Sequence, residues 1–288
     1  MNLTVPFGKT PNVLLLGNGI NRAYDFMSWS DLLNKISNKK DLNLNNVPAP
    51  LQAVIHTDDN IDGKLKSISA ELVASKAPLE EELLLQRFVD LPFDAILTTN
   101  YTYELEKAIC ADFSITPGKA SRFRKVASES SNDFVKNNLY TYFSLPQIEK
   151  PIWHIHGEAG KVGTLILGHY YYGKLLAKMD SYLPDLMRRY SSAKNASRDF
   201  ECRSWVDYFL IGNVTIVGLG MDFAEFDLWW LVNAKKRRFP ETCINFYKPD
   251  ITYEQKLLAQ TYGVTVINEF YNNDFKGYYC TLIKKLNK

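Results

Sequence analysis

The sequence of 288 residues predicts an α/β protein with a doubly wound, Rossmann-like, mostly parallel sheet and an inserted helical cap. Two observations support this. Short apolar runs, each long enough for one buried strand, alternate along the chain with stretches of helical spacing. Several of these runs end in glycine or polar residues, and open parallel sheets bind ligands at the carboxyl ends of their strands. We therefore expect a ligand site at one edge of the sheet.

The predicted strands are short and almost wholly apolar, as expected for strands that are covered on both faces. Pro11 and Gly17 bound the first of them, and Pro92 precedes the second. The expected strands are 13–16, 95–98, 152–155, 164–167, 214–217, 244–247 and 264–267.

Helices are expected between these strands. A helix over 29–36 has Ser28 or Ser30 as its cap, and residues 39–62 are polar with two prolines, which indicates a loop or an insertion. Further helices are predicted near 64–75, near 79–90, after Tyr101, and from about Phe223 through Trp230. The chain is expected to form a single domain, 1–288, with helical insertions at roughly 40–90 and 112–210.

The composition excludes several classes of protein. A net charge of +2 argues against a nucleic-acid binder, and the one dense basic run, 235–238, is expected to end a helix on a solvated face. Four widely spaced cysteines form no C-x-x-C pair, so neither a zinc ribbon nor a disulfide framework is expected, and no metal. We find no signal-peptide pattern, and the longest apolar stretch is too short to span a bilayer. The protein is expected to be cytoplasmic, without membrane contact.

Glycine and asparagine follow the first two predicted strands. Gly17-Asn18-Gly19 precedes a helix, where glycine allows the backbone to approach a pyrophosphate, although a plain tight turn explains it equally well. The dinucleotide pattern G-x-G-x-x-G fails at Arg22. Asn100, between Thr99 and Tyr101, offers a donor and an acceptor that suit a carboxamide, a ribose hydroxyl or a water, and its alternative role is a helix cap.

Two histidines alternate on the third strand, so their side chains share one face. His156 precedes Gly157 at the strand end and is better placed than His154 for chemistry. A histidine that titrates near neutral pH is a natural general base, and a buried core histidine is the alternative.

The segment Gly218-Leu219-Gly220-Met221-Asp222, followed by Glu225 and Asp227, comes after the strongest strand and opens a helix. Backbone amides there would hold a phosphate, and Asp222 or the downstream Asp227 would bond ribose hydroxyls. Helix capping by Asp222, with acidic residues complementing the helix dipole, is the alternative.

The order of these motifs resembles the sirtuin-like NAD-consuming domains of bacterial anti-phage defence. Gly17-Asn18-Gly19-Ile20-Asn21 is similar to the glycine-rich NAD loop of sirtuins, and Thr98-Thr99-Asn100-Tyr101 to a T-T-N-Y segment whose Asn is catalytic. His156-Gly157 resembles the catalytic His-Gly, and Gly218-Leu219-Gly220 with Asp227 the late loop on the adenosine side. Thr102 stands where the family has an acidic residue, and the paired cysteines of the zinc module are missing.

The resemblance implies an NAD⁺ hydrolase that cleaves the nicotinamide–ribose bond and depletes NAD during anti-phage defence. Asn100 and His156 would be catalytic. Residues that would bind NAD⁺, the substrate, are Gly17, Asn18, Gly19, Asn21, Thr99, Tyr101, Gly218, Gly220, Asp222 and Asp227. Control by a homo-oligomer or by a regulatory partner is expected. Two alternatives remain: an NAD-dependent deacylase or ADP-ribosyltransferase, and a non-catalytic nucleotide-sensing module.

Overall fold

A computed structural model of the protein describes residues 3–39, 42–44, 46–127, 137–268 and 273–287. The strands are β1 (Thr4–Val5), β2 (Asn12–Leu16), β3 (Ala95–Thr98), β4 (Arg124–Val126), β5 (Thr141–Phe143), β6 (Ile152–His154), β7 (Phe200–Glu201), β8 (Asn213–Val217), β9 (Ile244–Tyr247) and β10 (Thr265–Ile267). The helices are α1 (Gly19–Arg22), α2 (Trp29–Ile36), α3 (Ala49–Thr57), α4 (Ile61–Ala74), α5 (Leu79–Val89), α6 (Glu104–Ile109), α7 (Asn137–Tyr140), α8 (His169–Asn195), α9 (Trp205–Ile211), α10 (Phe226–Arg238), α11 (Tyr253–Thr261) and α12 (Phe275–Leu286).

Eight strands form the main sheet in the order β10-β9-β8-β2-β3-β6-β5-β4, and β1 pairs with β7 in a separate ribbon. The six strands from β10 to β6 are mutually parallel, while β5 and β4 are antiparallel additions at one edge. From β2 the chain first builds outward through β3 and β6 and later returns to the other side of β2 with β8. The strand order therefore reverses between β2 and β8, the place where doubly wound sheets hold ligands.

Alternating residues of the central strands pack on opposite faces of the sheet. In β2, Val13 and Leu15 join one apolar core with helices α8 to α11. Leu14 and Leu16 join a second core with helices α2 to α6 and α12. Layers of helices on both faces explain why these strands are continuous apolar runs, and they confirm the predicted α/β class with a mostly parallel, doubly wound sheet.

Six of the seven expected strands are confirmed, and the one at 164–167 is wrong. Val162–Thr164 is a 3₁₀ turn, and Leu165, Ile166 and Leu167 are buried without strand geometry. The amide of Ile166 donates to the His156 carbonyl at 2.8 Å. These apolar residues therefore fill the core beside the sheet instead of extending it.

Of the loop or insertion expected over 39–62, the structure shows a helical insertion, which contains helix α3 and the start of α4. Pro48 is the N-cap residue of α3 and Pro50 lies in its first turn. Proline fits there because amides of the first turn have no partner within the helix. Of the second predicted insertion, residues 128–136 lie outside the described residues. No helix in the described ranges is long and apolar enough to cross a membrane.

Two helix ends behave as the sequence predicts, with one exception. Ser28 caps α2 in a reciprocal capping box with Asp31. The basic run ends α10, but Lys235 is not on a solvated face: its side chain is buried, and Nζ donates to the carbonyls of Leu210 and Gly212 and to Thr242 Oγ1. Burial lowers the pKa of Lys235 to about 7. This lysine joins the end of α9 to α10.

A buried carboxyl on α5 predicts pH-dependent stability. Burial, followed by repulsion from Glu104 and Glu82, raises the pKa of Glu81 to about 8, and within the described residues neither carboxylate oxygen has a hydrogen-bond partner. Because the folded state favours the protonated carboxyl, the fold has its full stability below pH 4.5, the usual pKa of this group. This stability is lost as the pH rises toward 8. Glu81→Gln should therefore increase in stability relative to the parent protein by ~2 kcal/mol between pH 5 and pH 9.

Urea unfolding at both pH values measures this change. Glu80→Gln is the control, because Glu80 is exposed on the same helix and its substitution should leave the pH dependence intact. A Glu81→Gln effect that is equal at pH 5 and pH 9 would contradict the argument.

Candidate active site

A cavity of about 740 Å³ opens at the carboxyl ends of the central strands. Its size falls within the ~300–1,000 Å³ of typical small-molecule sites. Segments that follow β2, β3, β6, β8 and β9 all contribute to its wall. Ala49, Pro50 and Leu72 of the helices between β2 and β3 also line it, as does Tyr172 of α8. The segments that the sequence assigned to helical insertions therefore provide part of the cavity wall.

Two glycine loops lie in direct backbone contact on one side of the cavity. The amide of Gly17 donates to the Val217 carbonyl at 2.9 Å, and the amide of Gly19 donates to the Gly218 carbonyl at 2.6 Å. A Cβ at Gly17 would lie 2.7 Å from the Leu219 Cα, so only glycine fits there. Backbone hydrogen bonds thus join the loops after β2 and β8, and glycine allows the two loops to come this close.

Asn100 lies at the end of β3 and lines the cavity. Its backbone amide donates to Thr98 Oγ1 at 3.1 Å, which fixes the turn after the strand. Its Oδ1 is buried and has no hydrogen-bond partner among the described residues. Asn100 also lines a second, much smaller cavity together with Asn21 and Glu104. The amide is therefore free to bind a ligand and is not used as a helix cap.

His156 forms a buried pair with Asp227 beneath the cavity. Its Nε2 lies 2.7 Å from Asp227 Oδ2, and the Asp227 side chain has no exposed surface. Burial alone would lower the pKa of His156, but the charge and hydrogen bond of Asp227 and the charge of Glu225 together raise the pKa above 6.5. When Nε2 donates to Asp227, Nδ1 becomes the proton-accepting nitrogen. The ring also contacts Tyr172 edge-on, with centroids 5.6 Å apart.

The neighbouring histidine forms a similar pair in a different place. His154 Nε2 lies 2.8 Å from Glu106 Oε1, and His154 Nδ1 lies 2.7 Å from the Asn100 carbonyl oxygen. Both ring nitrogens are thus engaged, and His154 does not line the cavity. His154 is therefore a core histidine with both ring nitrogens hydrogen-bonded, which is the alternative that the sequence analysis gave for such a histidine.

Glu225 is a cavity residue that the sequence analysis placed beside the last glycine loop but did not count among the site residues. It is half-buried, and its Oε2 accepts a hydrogen bond from the backbone amide of Asp222 at 2.8 Å. Burial raises the pKa of Glu225 to about 7, and His156 acts in the opposite direction. The only available signal was its position two residues before Asp227, in the turn that opens α10.

Most of the site residues that the sequence predicted meet at this cavity. Of the predicted residues, those that line the cavity are Asn18, Gly19, Thr99, Asn100, Tyr101, His156, Gly218, Gly220 and Asp222. Asn18 also donates from Nδ2 to the Met27 carbonyl at 2.8 Å, and Tyr101 donates from its hydroxyl to the Ile166 carbonyl at 2.7 Å.

Three predicted residues do not line the main cavity. Gly17 and Asn21 line the smaller cavity behind Asn100, and Asp227 lies under His156. Asn21 is buried, and its Nδ2 has no partner within the described residues. Direct contact of Asn21 with a pyrophosphate, or of Asp227 with a ribose, does not fit these positions.

Cations also contribute to the wall. Arg22, the residue that breaks the dinucleotide pattern, is exposed and lines the cavity, as does Lys248 after β9. Lys248 Nζ lies 3.2 Å from the Gly220 carbonyl oxygen, which places it beside the second glycine loop. The cavity can thus offer positive charge to an anionic ligand. Within the described ranges, no group of three or more His, Cys, Asp or Glu residues could hold a metal ion.

Comparison with known proteins gave matches among solved structures alone. No family model and no curated protein matched the chain. Two complexes of mutant Sir2 homologues with ADP ribose are each 13% identical over 97% of this chain and 93% of theirs, with TM-scores of 0.38 and 0.39. A Sir2 homolog–NAD complex is 12% identical over 96% of this chain and 90% of its own, with a TM-score of 0.37. At these low values, the likeness carries no conclusion about the activity of this chain.

Proposed function

We propose that this protein is an NAD⁺ glycohydrolase that releases nicotinamide and ADP-ribose. The observation that carries the proposal is that Asn100 and His156, far apart in sequence, line one cavity together with two glycine loops. The four motifs that resemble sirtuin-like domains thus meet at the strand-order reversal, where a nucleotide would bind. We propose Gly19, Gly218 and Gly220 for the diphosphate, with Arg22 and Lys248 supplying positive charge, and Asp222 for the adenosine ribose.

The chemistry needs few groups, because the nicotinamide of NAD⁺ is a cationic leaving group. The bond from ribose C1′ to the nicotinamide nitrogen breaks, and its electron pair neutralises the departing ring. A water then adds to the oxocarbenium-like C1′, as in other glycoside cleavages. Asn100 would position the ribose and the water, while His156 Nδ1 would accept the proton that the water loses.

Asp227 takes a different role in this proposal from the one that the sequence suggested. Its carboxylate holds Nε2–H of His156 and leaves Nδ1 as the base, in the way that a buried aspartate orients the histidine of hydrolytic triads. Asp227 is therefore proposed as a positioning residue for the base. Asn21 would likewise have no direct contact with NAD⁺, and it would influence Asn100 through the small cavity that both residues line.

Nicotinamide release from NAD⁺ by the purified protein tests the proposed function. Release without any acceptor peptide supports a hydrolase, whereas release that depends on an acyl-lysine peptide supports the deacylase or transferase alternative. Asn100→Ala should lower the rate by about 100-fold, because a misplaced water or ribose costs that much. NAD⁺ binding without release under any condition would leave the nucleotide-sensing alternative.

We also propose that the activity is regulated in anti-phage defence, since uncontrolled hydrolysis of NAD⁺ would harm the host cell. The motif resemblance supports this part, and a second subunit or a partner protein would be the regulator. NAD⁺ turnover compared with and without lysate from phage-infected cells tests it, together with the mass of the active species. Full activity of the isolated protein under all conditions would overturn the regulatory part alone.

A further inference from the structure

Glu225 is the carboxylate that stands out among the acidic residues around the cavity. Asp222 and Asp250 also line it, but Asp222 is exposed, and the Asp250 carboxylate lies 3.8 Å from the Lys248 ammonium. Glu225 lines the same cavity as His156, and it comes two residues before Asp227, whose carboxylate is 2.7 Å from His156 Nε2. Glu225 therefore lies at the end of the cavity where the base is found.

The backbone holds Glu225 firmly in place. Its amide donates to the Asp222 carbonyl at 3.0 Å, and its own carbonyl accepts from the Trp229 amide at 3.1 Å. One carboxylate oxygen, Oε2, accepts from the Asp222 amide, and no described residue donates to Oε1. A carboxylate fixed in this way has one oxygen available for a ligand in the cavity.

We propose that Glu225 is a catalytic residue that stabilises the ribosyl cation during NAD⁺ cleavage, by accepting a hydrogen bond from a ribose hydroxyl through Oε1. This inference rests on the proposed function. As C1′–N1 breaks, the electron pair leaves with nicotinamide and positive charge develops on C1′ and the ring oxygen. A nearby anion stabilises that charge, and hydrogen bonds to the 2-hydroxyl strengthen in such transition states. Glu225 is unchanged by the step, since the water proton goes to His156.

In this environment, the fraction of Glu225 that is ionised changes with pH near neutrality. Burial raises its pKa to about 7, His156 lowers it, and the carboxylates of Asp227 and Asp222 raise it. Among the described residues, the charge of Glu225 also raises the pKa of the Tyr101 and Tyr172 hydroxyls. Because the charges of Glu225 and His156 act on each other, the two groups will give apparent pKa values that belong to the pair.

The test is the pH profile of kcat/KM for nicotinamide release, from pH 5.5 to 8.5, by the parent protein, Glu225→Gln and Glu225→Asp. We expect Glu225→Gln to lower kcat by about 100-fold, in line with the loss of one group that stabilises transition-state charge. It should also remove one ionisation from the acidic side of the profile. Glu225→Asp keeps the charge and should recover part of the rate. The exposed Glu254→Gln on α11 is the control and should behave like the parent.

Calorimetric binding of ADP-ribose and thermal melting separate a catalytic effect from a structural one. Unchanged affinity and melting temperature in Glu225→Gln, with the kinetic loss, support the proposal. If the parent protein is active and Glu225→Gln retains its rate and its pH profile, the inference is overturned while the hydrolase stands. If Glu225→Asp gives no recovery and melts at a lower temperature, Glu225 is structural. If the parent protein releases no nicotinamide, the proposed function fails and this inference with it.

Discussion

His156→Ala is expected to lower the rate of nicotinamide release by ~100- to 10,000-fold, the usual contribution of a positioned general base. The affinity for NAD⁺ should change little, because the glycine loops and the cations that would hold the diphosphate lie elsewhere in the cavity wall. Steady-state kinetics together with calorimetric binding measure the two effects separately. A loss that appears only in binding would contradict the assignment of a base.

Asp227 is expected to act through His156, because its carboxylate is hydrogen-bonded to the His156 ring. Asp227→Asn is expected to give a loss similar to that of His156→Ala, and the double variant should be no slower than the slower single one. Glu106→Gln is the matched control, because it alters the other buried histidine–carboxylate pair, which does not line the cavity. It should lower thermal stability and leave kcat nearly unchanged. Additive losses in the double variant would show that Asp227 does not work through His156.

Gly17→Ala is expected to remove ADP-ribose binding and to destabilise the fold by about 3 kcal/mol, the upper range for overpacking. The new methyl group would meet the Gly218 carbonyl oxygen and the Leu219 Cα, and backbone atoms at the centre of the sheet cannot move aside cheaply. The loops after β2 and β8 would therefore be forced apart. Chemical denaturation and ADP-ribose calorimetry measure the two consequences.

Gly173→Ala is the control for Gly17→Ala. Gly173 lies in α8, and a Cβ there has no other atom within 4 Å. Alanine should raise stability slightly at this position, because it is the better helix former. If Gly17→Ala melts like the parent protein and binds ADP-ribose, the contact between the two glycine loops does not constrain the site.

The sequence predicted the sheet well because buried parallel strands leave a strong local signal. The strand segments of β2, β3, β8 and β9 are mostly apolar, as buried parallel strands require. The segment 164–167 has a similar composition but packs against the core without forming a strand. Composition reports burial, and it does not distinguish a buried strand from a buried irregular segment.

The candidate site was predictable in its position and less so in its contacts. Residues at strand ends must lie at one edge of a parallel sheet, so Asn100 and His156 could be brought together from sequence. The direction in which each acidic residue of the α10 turn projects depends on the turn itself. Asp227 projects into the core beneath His156, while Glu225, two residues earlier, lines the cavity. No periodicity in the sequence decides between those two positions.

The reversal of strand order between β2 and β8 also affects how the protein is synthesised. Strand β2 is translated early, but its neighbour β8 ends at Val217, and Glu225 and Asp227 follow still later. Such distant pairing is slow to form, and domains complete their folding only when the necessary segments have been made. A chain on the ribosome thus lacks one wall of the cavity until the last quarter of the protein emerges. If the protein is the proposed hydrolase, unfinished chains would be inactive. Only completed chains could then consume the NAD⁺ of the cell.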